Sequence, residues 1–213
     1  MIRGVIFDLD GVIVSTDEFH FQAWQRLAQE EQIPFSREDN EQLKGVSRME
    51  SLEIILRKSP KPFPADTKLK MAERKNSYYR DLLQHLSPAD VLPGVLSFLD
   101  VLRDRKIRPA IGSSSKNAVP ILRAIGLSEA FVAIADGTKI KYSKPHPEVF
   151  LLAASLLGLE PRDCLVVEDA EAGVEAGLAA GMKVLAVGSA ATLPRATYRS
   201  QTLDKLSIEN VLA

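Results

Sequence analysis

The amino-acid sequence predicts an α/β protein, a parallel sheet whose first crossover is interrupted by a helical insert. Five short apolar runs, at residues 4–7, 107–112, 131–135, 164–167 and 183–187, read as strands. Helical patterns separate them, the alternation that builds a parallel sheet. The run at 4–7 is apolar at successive positions, as a strand covered on both faces requires. Between the first two runs, roughly residues 16–86, there is no strand signal, and the stretch is too long for a crossover helix.

Taken in order, the first strand feeds Asp8, Leu9, Asp10 and Gly11. If the strand continued, Asp8 and Asp10 would share a face, and Gly11 lets the chain turn at little steric cost. Two converging carboxylates repel unless a divalent, oxygen-loving cation such as Mg²⁺ neutralises them or one holds a proton. An Asx turn at the strand end is the reading that needs no ligand.

Residues 17–31 then carry Phe21, Trp24, Leu27 and Ala28 at helical spacing. Ser47 to Glu50 form a capping box ahead of Leu52, Ile55 and Leu56. A proline-rich loop covers residues 58–65, and Asp66 is placed to cap a last helix with Leu69, Ala72, Tyr79, Leu82 and Leu83. The insert therefore reads as a helical cap domain, residues 16–87, on an α/β core of residues 1–15 and 88–213. The chain crosses between them near 14–16 and 87–93.

Past the cap, residues 94–105 form a core helix, and residues 111–117 run from a strand end into a helix start. Gly126, Gly158 and Gly181 each follow a helical pattern and suit C-caps. Pro147 suits the first turn of a helix carrying Val149, Phe150, Ala153 and Leu157. Pro109 cannot donate to a ladder, so it belongs near a strand start or where it lacks a partner.

Composition narrows the class. The chain has 213 residues, ordinary apolar content and a formal net charge of -1. That supports one full core with an insertion and argues against nucleic acid or an anionic membrane as the main partner. The single cysteine, Cys164, excludes an intrachain disulfide and a cysteine zinc cluster, and its apolar run suits a buried thiol. No apolar run reaches membrane-spanning length, and charges within the first ten residues break any signal-peptide pattern. A cytoplasmic enzyme or binding domain is expected.

Four segments would meet at the carboxyl ends of a parallel sheet, where open α/β folds bind ligands. They are Asp8-Leu9-Asp10, Ser113-Ser114-Ser115-Lys116-Asn117, Lys144 between Ser143 and Pro145, and Glu168-Asp169. Hydroxyls and amides at a helix start suit a phosphate, a lysine suits it as a point charge, and the second acidic pair suits Mg²⁺ opposite Asp8. Each alone has a plainer reading as a cap, a surface lysine or an acidic first turn. Together, in this order, they resemble the motifs of the haloacid dehalogenase superfamily of phosphotransferases over nearly the whole chain.

That resemblance implies a HAD-like Rossmannoid core, a covalent phosphate on Asp8 and Asp10 as general acid and base. It implies Mg²⁺ at Asp8, the Asp10 carbonyl, Asp169 and, in or beside the shell, Glu168. Cap segments around His20, Lys44 to Arg48, Arg74 to Asn76 and Ser87 to Val91, with Ser115 to Asn117, resemble the hexose-phosphate mutases of the superfamily. Carried over, Arg48, Ser115, Lys116 and Asn117 would hold the non-reacting phosphate, and Ser113, Ser114 and Lys144 the transferring one. Trp24, Gly45, Val46, Ser47, Ser51 and Lys75 would face the sugar. His20 would orient Asp10 or a sugar hydroxyl through the hinge at Thr16.

Without the resemblance, His20 and Trp24 also read as cap packing, and Lys75, on the stripe of Ala72, Tyr79 and Leu82, as either snorkelling or held for a ligand. Ser15 departs from the acid common before the hinge in the family. The implied activity interconverts β-D-glucose 1-phosphate and β-D-glucose 6-phosphate through β-glucose 1,6-bisphosphate, by a monomer acting on a small sugar phosphate. A sugar-phosphate phosphatase on the same scaffold is the alternative. A silent binding module is disfavoured by intact Asp8, Asp10, Lys144 and Asp169.

Overall fold

The computed structural model describes residues 1–43 and 46–212. Its sheet contains β1 (Gly4–Phe7), β2 (Arg108–Gly112), β3 (Ala133–Ala135), β4 (Cys164–Glu168), β5 (Lys183–Ala186) and β6 (Tyr198–Arg199). The strand order is β3-β2-β1-β4-β5-β6, with every pair parallel. The order reverses between β1 and β4, and a crevice forms at the carboxyl ends of such neighbours. Register pairs Phe7 with Ile111 on one side and Val167 on the other, so the chain after Phe7 and the end of β4 emerge side by side.

Side chains alternate across the sheet. Val5, Phe7, Leu165 and Val167 pack under α5 (Val95–Asp104) and α6 (Ala118–Ala124) through Phe98, Leu102, Ile121 and Leu122. Ile6, Ala110, Cys164 and Val166 pack against α7 (Glu148–Leu157) and α8 (Glu171–Ala179) through Val149, Phe150 and Val174. Burying each such side chain stabilises the core by about 1.5–3 kcal/mol. Pro109 is the second residue of β2, and β3 pairs only from Ala110 onward. Its carbonyl still accepts from the Val132 N–H at 2.9 Å.

Between β1 and β2 run α1 (Asp17–Glu30), α2 (Arg37–Glu41), α3 (Arg48–Leu56) and α4 (Ala65–Leu83). They enclose an apolar cluster of their own, with Trp24, Leu27, Leu52, Ile55 and Met71 at its centre. Ala23, Tyr79 and Leu83, nearer the chain crossings, join the core cluster instead. The two crossings lie side by side: Val14 bridges Val91, and the Leu92 N–H donates to Ile13 O at 2.9 Å.

The Ser47–Glu50 capping box forms as expected. The cap of α4 does not: the helix starts at Ala65 after an extended Pro64, and Asp66 lies in its first turn, where its charge favours the dipole. The short strand β6 carries no apolar run and exists only through pairing with β5, Leu185 to Tyr198 and Ala186 to Arg199. No helix among the described residues is long and apolar enough to cross a membrane.

Candidate active site

The end of β1 and the end of β4 deliver three carboxylates to one point. One oxygen each of Asp8, Glu168 and Asp169 lie within 4.8 Å of one another. The Asp8 N–H donates to Val167 O at 2.9 Å, which fixes the chain just past β1 against β4. Lys144 reaches in from the loop before α7 and is buried. Its Nζ donates to Asp8 Oδ1 and, at 2.6 Å, to Glu168 Oε1, above the Phe150 ring. The other Glu168 oxygen accepts from the Ala170 N–H at 2.8 Å. Close approach demands glycine twice. Gly11 has φ +80, and a Cβ there would stand 2.0 Å from Asp169 Oδ2. A Cβ on Gly173 would stand 1.8 Å from Glu168 Oε1.

The charges are unbalanced. Burial, then repulsion from Glu168 and Asp8, pushes Asp169 up to about 9. Burial raises Asp8 to about 7 despite Lys144. For Lys144 burial acts downward, but the two carboxylates outweigh it, and the ammonium is held charged. Hard oxygen donors crowded together with raised carboxyl pKa values fit a small divalent cation such as Mg²⁺. Asp8 and Asp169 are the carboxylates placed to hold one. Both Glu168 oxygens already accept hydrogen bonds, which sets that residue beside the site.

Asp10 turns away from this cluster. Its Oδ1 accepts from the Thr16 hydroxyl, which also shares a 2.8 Å hydrogen bond with Tyr79 of α4. Burial raises Asp10 to about 6 against that hydrogen bond, so it can hold or release a proton near neutrality.

A second wall comes from the turn after β2. The Ser113 N–H donates to Ala135 O at 3.0 Å. Ser113 Oγ accepts from the Ser115 N–H, and Ser115 Oγ from the Asn117 N–H, each at 3.1 Å. The hydroxyl protons of both serines stay available to a ligand. Ser114 Oγ is buried with no hydrogen-bond partner among the described residues, and Lys116 stands exposed.

The cap supplies the facing wall. Lys75 is buried, with Nζ 2.9 Å from His20 Nδ1 and over the Trp24 and Tyr79 rings. Burial and then Arg48 hold its pKa well below the usual lysine range. His20 is likewise depressed by burial, Lys75 and Arg48. Arg48 opens α3, half-buried, and Ser51 lies one turn on. Asn76 Oδ1 accepts from Asn117 Nδ2 at 3.0 Å, a direct bond from cap to core.

Most of these groups line one cavity of about 430 Å³, within the range of small-molecule sites. It brings together Asp8, Asp10, His20, Trp24, Val46, Ser47, Arg48, Ser51, Lys75, Ser113 to Asn117, Lys144 and Asp169. Gly45 lies outside the described residues. Thr16 and Glu168 stand behind the wall, touching Asp10 and Lys144.

His20 Nδ1 pairs with Lys75 Nζ, and the hydroxyl bonded to Asp10 is that of Thr16. Lys75 does not snorkel to solvent, and the Ser47 side chain is engaged in its own helix cap. Tyr79, Asn76, Asp17, Glu73 and Lys141 also line the cavity, none of them assigned a role from sequence, although Asn76 closes the family-like segment Arg74 to Asn76. Tyr79 was readable only as apolar stripe, although it shares the α4 face of Lys75 at i+4.

The chain belongs to the haloacid dehalogenase-like hydrolase family, whose model matches residues 2–181. Within that family it is homologous to β-phosphoglucomutases over nearly its full length. It is 41% identical over 210 residues to β-phosphoglucomutase of Bacillus subtilis, covering 98% of this chain and 93% of that one. The crystal structure of β-phosphoglucomutase from Clostridium difficile superposes with a TM-score of 0.94 at 41% identity, covering 99% and 96% of the two chains. A phosphorylated carbohydrates phosphatase of Thermotoga maritima is 30% identical over 185 residues, 85% of this chain and 83% of that one.

Proposed function

We propose that this protein is a β-phosphoglucomutase, an isomerase interconverting β-D-glucose 1-phosphate and β-D-glucose 6-phosphate through β-glucose 1,6-bisphosphate. One observation carries the reading beyond the family. The cavity that exposes Asp8, Ser113 and Lys144 also contains Arg48 on the cap and Ser115, Lys116 and Asn117 on the core. A mutase must hold a bisphosphate with either phosphate over its nucleophile, so it needs such a second anion site. A phosphatase does not.

In this reading an Asp8 carboxylate oxygen attacks the phosphorus, the phosphorus–oxygen bond to the sugar breaks, and Asp10 gives its proton to the departing oxygen. The reverse step uses the other sugar hydroxyl: Asp10 takes its proton as the oxygen attacks the phosphate on Asp8. Ser113, Ser114 and Lys144 bind the transferring phosphoryl group, and Lys144 offsets its charge so that the anionic Asp8 can approach. Asp8, Asp169 and the Asp10 carbonyl, with Glu168 beside them, would hold Mg²⁺, which would supply charge neutralisation for the transfer.

Arg48, with a rigid donor fork, clamps the distal phosphate with Ser115, Lys116 and Asn117. Trp24, Val46, Ser47, Ser51 and Lys75 face the sugar. His20 acts through Lys75, and Thr16 orients Asp10 from the hinge. Residues 16–87 form the cap, residues 1–15 and 88–213 the core, and closure excludes water from the phosphoenzyme. The protein works as a cytoplasmic monomer.

A coupled assay with α- and β-glucose 1-phosphate, with and without the bisphosphate, tests the reading. We expect glucose 6-phosphate from the β anomer only, with activation by bisphosphate. Phosphate release matching substrate loss would make the protein a phosphatase. Arg48→Ala should cost mutase turnover about 2–5 kcal/mol of transition-state stabilisation. Acetyl phosphate, which has no distal phosphate, should be hydrolysed as before. Equal damage to both reactions would remove the distal role of Arg48.

A further inference from the structure

Helix α4 touches the rest of the molecule through polar side chains on successive turns. Lys75 meets His20 within the cap, Tyr79 meets Thr16 at the hinge, and Thr16 meets Asp10. Asn76 meets Asn117 on the core. The last contact differs from the others, because it joins two amides across the cavity beside the loop proposed to hold the distal phosphate. An amide side chain has two N–H donors and one carbonyl acceptor. Asn117 directs one N–H to Asn76 Oδ1 at 3.0 Å, and its backbone N–H is taken by Ser115 Oγ at 3.1 Å. With the backbone anchored and one amide hydrogen directed to the cap, the amide plane is fixed. The second N–H remains for a ligand.

We infer that Asn76 is a positioning residue for the distal phosphate. It holds the Asn117 amide in the orientation that binds phosphate, and so links occupancy of that site to the seating of the cap. The inference rests on the distal-phosphate reading of Asn117. It adds that this ligand is oriented from the opposite domain, so the site is complete only when α4 stands against the core. The neighbouring Lys75 and Tyr79 extend the link toward the sugar wall and the hinge, since all three sit within two turns of one helix.

The test compares Asn76→Ala, Asn117→Ala and the double variant as Mg²⁺-loaded full-length enzyme. Three quantities are read: KM and kcat for mutase turnover with β-glucose 1,6-bisphosphate as activator, hydrolysis of acetyl phosphate, and bisphosphate binding. Binding is followed by the fluorescence of Trp24, the single tryptophan, in an Asp8→Asn background where nothing turns over. We expect Asn76→Ala to raise KM for the bisphosphate and weaken binding about tenfold, with kcat within about twofold. Acetyl phosphate hydrolysis should not change. Asn117→Ala should do at least as much, and adding Asn76→Ala to it should do nothing more, the signature of one residue acting through another.

Asn76→Ser, polar but too short to reach Asn117, should behave as Asn76→Ala and guards against a folding defect in the alanine variant. Additive losses in the double variant would overturn the inference, as would equal damage to acetyl phosphate hydrolysis. If Asn117→Ala raises KM and Asn76→Ala does not, the inference falls and the distal-phosphate reading stands. If Asn117→Ala leaves KM and binding untouched, both fall.

Discussion

Each half of the molecule buries a lysine, and the two are opposite in kind. Lys144 in the core lies between two carboxylates and is held charged. Lys75 in the cap has an imidazole and two aromatic rings for company, and its pKa is driven down. The core is a charge-paired site that is short of positive charge, since three carboxylates face one ammonium. The cap wall gathers positive charge: burial and Arg48 lower Lys75, and burial, Lys75 and Arg48 lower His20. A cation satisfies the core, and an anion held between the halves satisfies the cap. In the proposed mechanism, metal and phosphoryl chemistry fall to the core, and recognition and closure to the cap.

Four substitutions or additions sharpen that contrast. The largest effect belongs to Asp8→Asn, which keeps the shape of the nucleophile and removes its charge. Mutase turnover and acetyl phosphate hydrolysis should both vanish while the circular dichroism spectrum is unchanged. Near-normal turnover by pure variant protein would remove Asp8 as nucleophile. Lys144→Met comes next. It strands Asp8 and Glu168 as unpaired buried charges, so chemical denaturation near neutral pH should show a loss of about 3–5 kcal/mol. Both reactions should fall about 10²–10³-fold. If mutase turnover falls but acetyl phosphate hydrolysis does not, Lys144 belongs with the distal clamp.

The third test uses pH. A carboxyl raised in the folded state contributes stability fully present below its unfolded pKa and lost as pH rises through the folded one. Asp8 at about 7 and Asp169 at about 9 therefore weaken the metal-free core between pH 6 and 9. Mg²⁺ should raise the melting temperature, and the increment should grow across that range. Asp169→Asn should flatten the increment. A rise independent of pH would argue that the cation binds elsewhere.

The smallest effect runs the other way. Lys75 is depressed on folding, so its stability contribution is present above its unfolded pKa near 10.4 and lost as pH falls toward the folded value. Lys75→Met should therefore stabilise the protein by about 1 kcal/mol or more. The gain should be larger at pH 6 than at pH 9 and come at the cost of mutase turnover. A destabilised Lys75→Met would mean that the ammonium is satisfied in the cap without any substrate.

Much of the core was legible because its signals are local. Apolar runs ending in Asp8, Ser113 and Glu168 place those groups at strand ends, and sheet topology makes strand ends converge. The cap was legible as helices but not as a site. Whether His20 pairs with Asp10 or with Lys75 depends on how α1 packs against α4, and helical periodicity does not encode that contact. Tyr79 shows the same limit: its stripe predicts burial, while its hydroxyl reaches Thr16 some 63 residues away in sequence.

The sequence by itself determined the α/β class, the inserted helical segment, the capping box at Ser47 and the four chemistry-bearing segments, since each is a property of neighbouring residues. Only the tertiary structure decided which partner each buried polar group has. It set Lys144 between Asp8 and Glu168, turned Asp10 to Thr16, paired Lys75 with the His20 imidazole, joined Asn76 to Asn117, and made a strand of Tyr198–Arg199. The reason is physical. A buried donor or acceptor must find a partner within hydrogen-bond distance, and that distance is fixed by how helices and strands pack, not by separation along the chain.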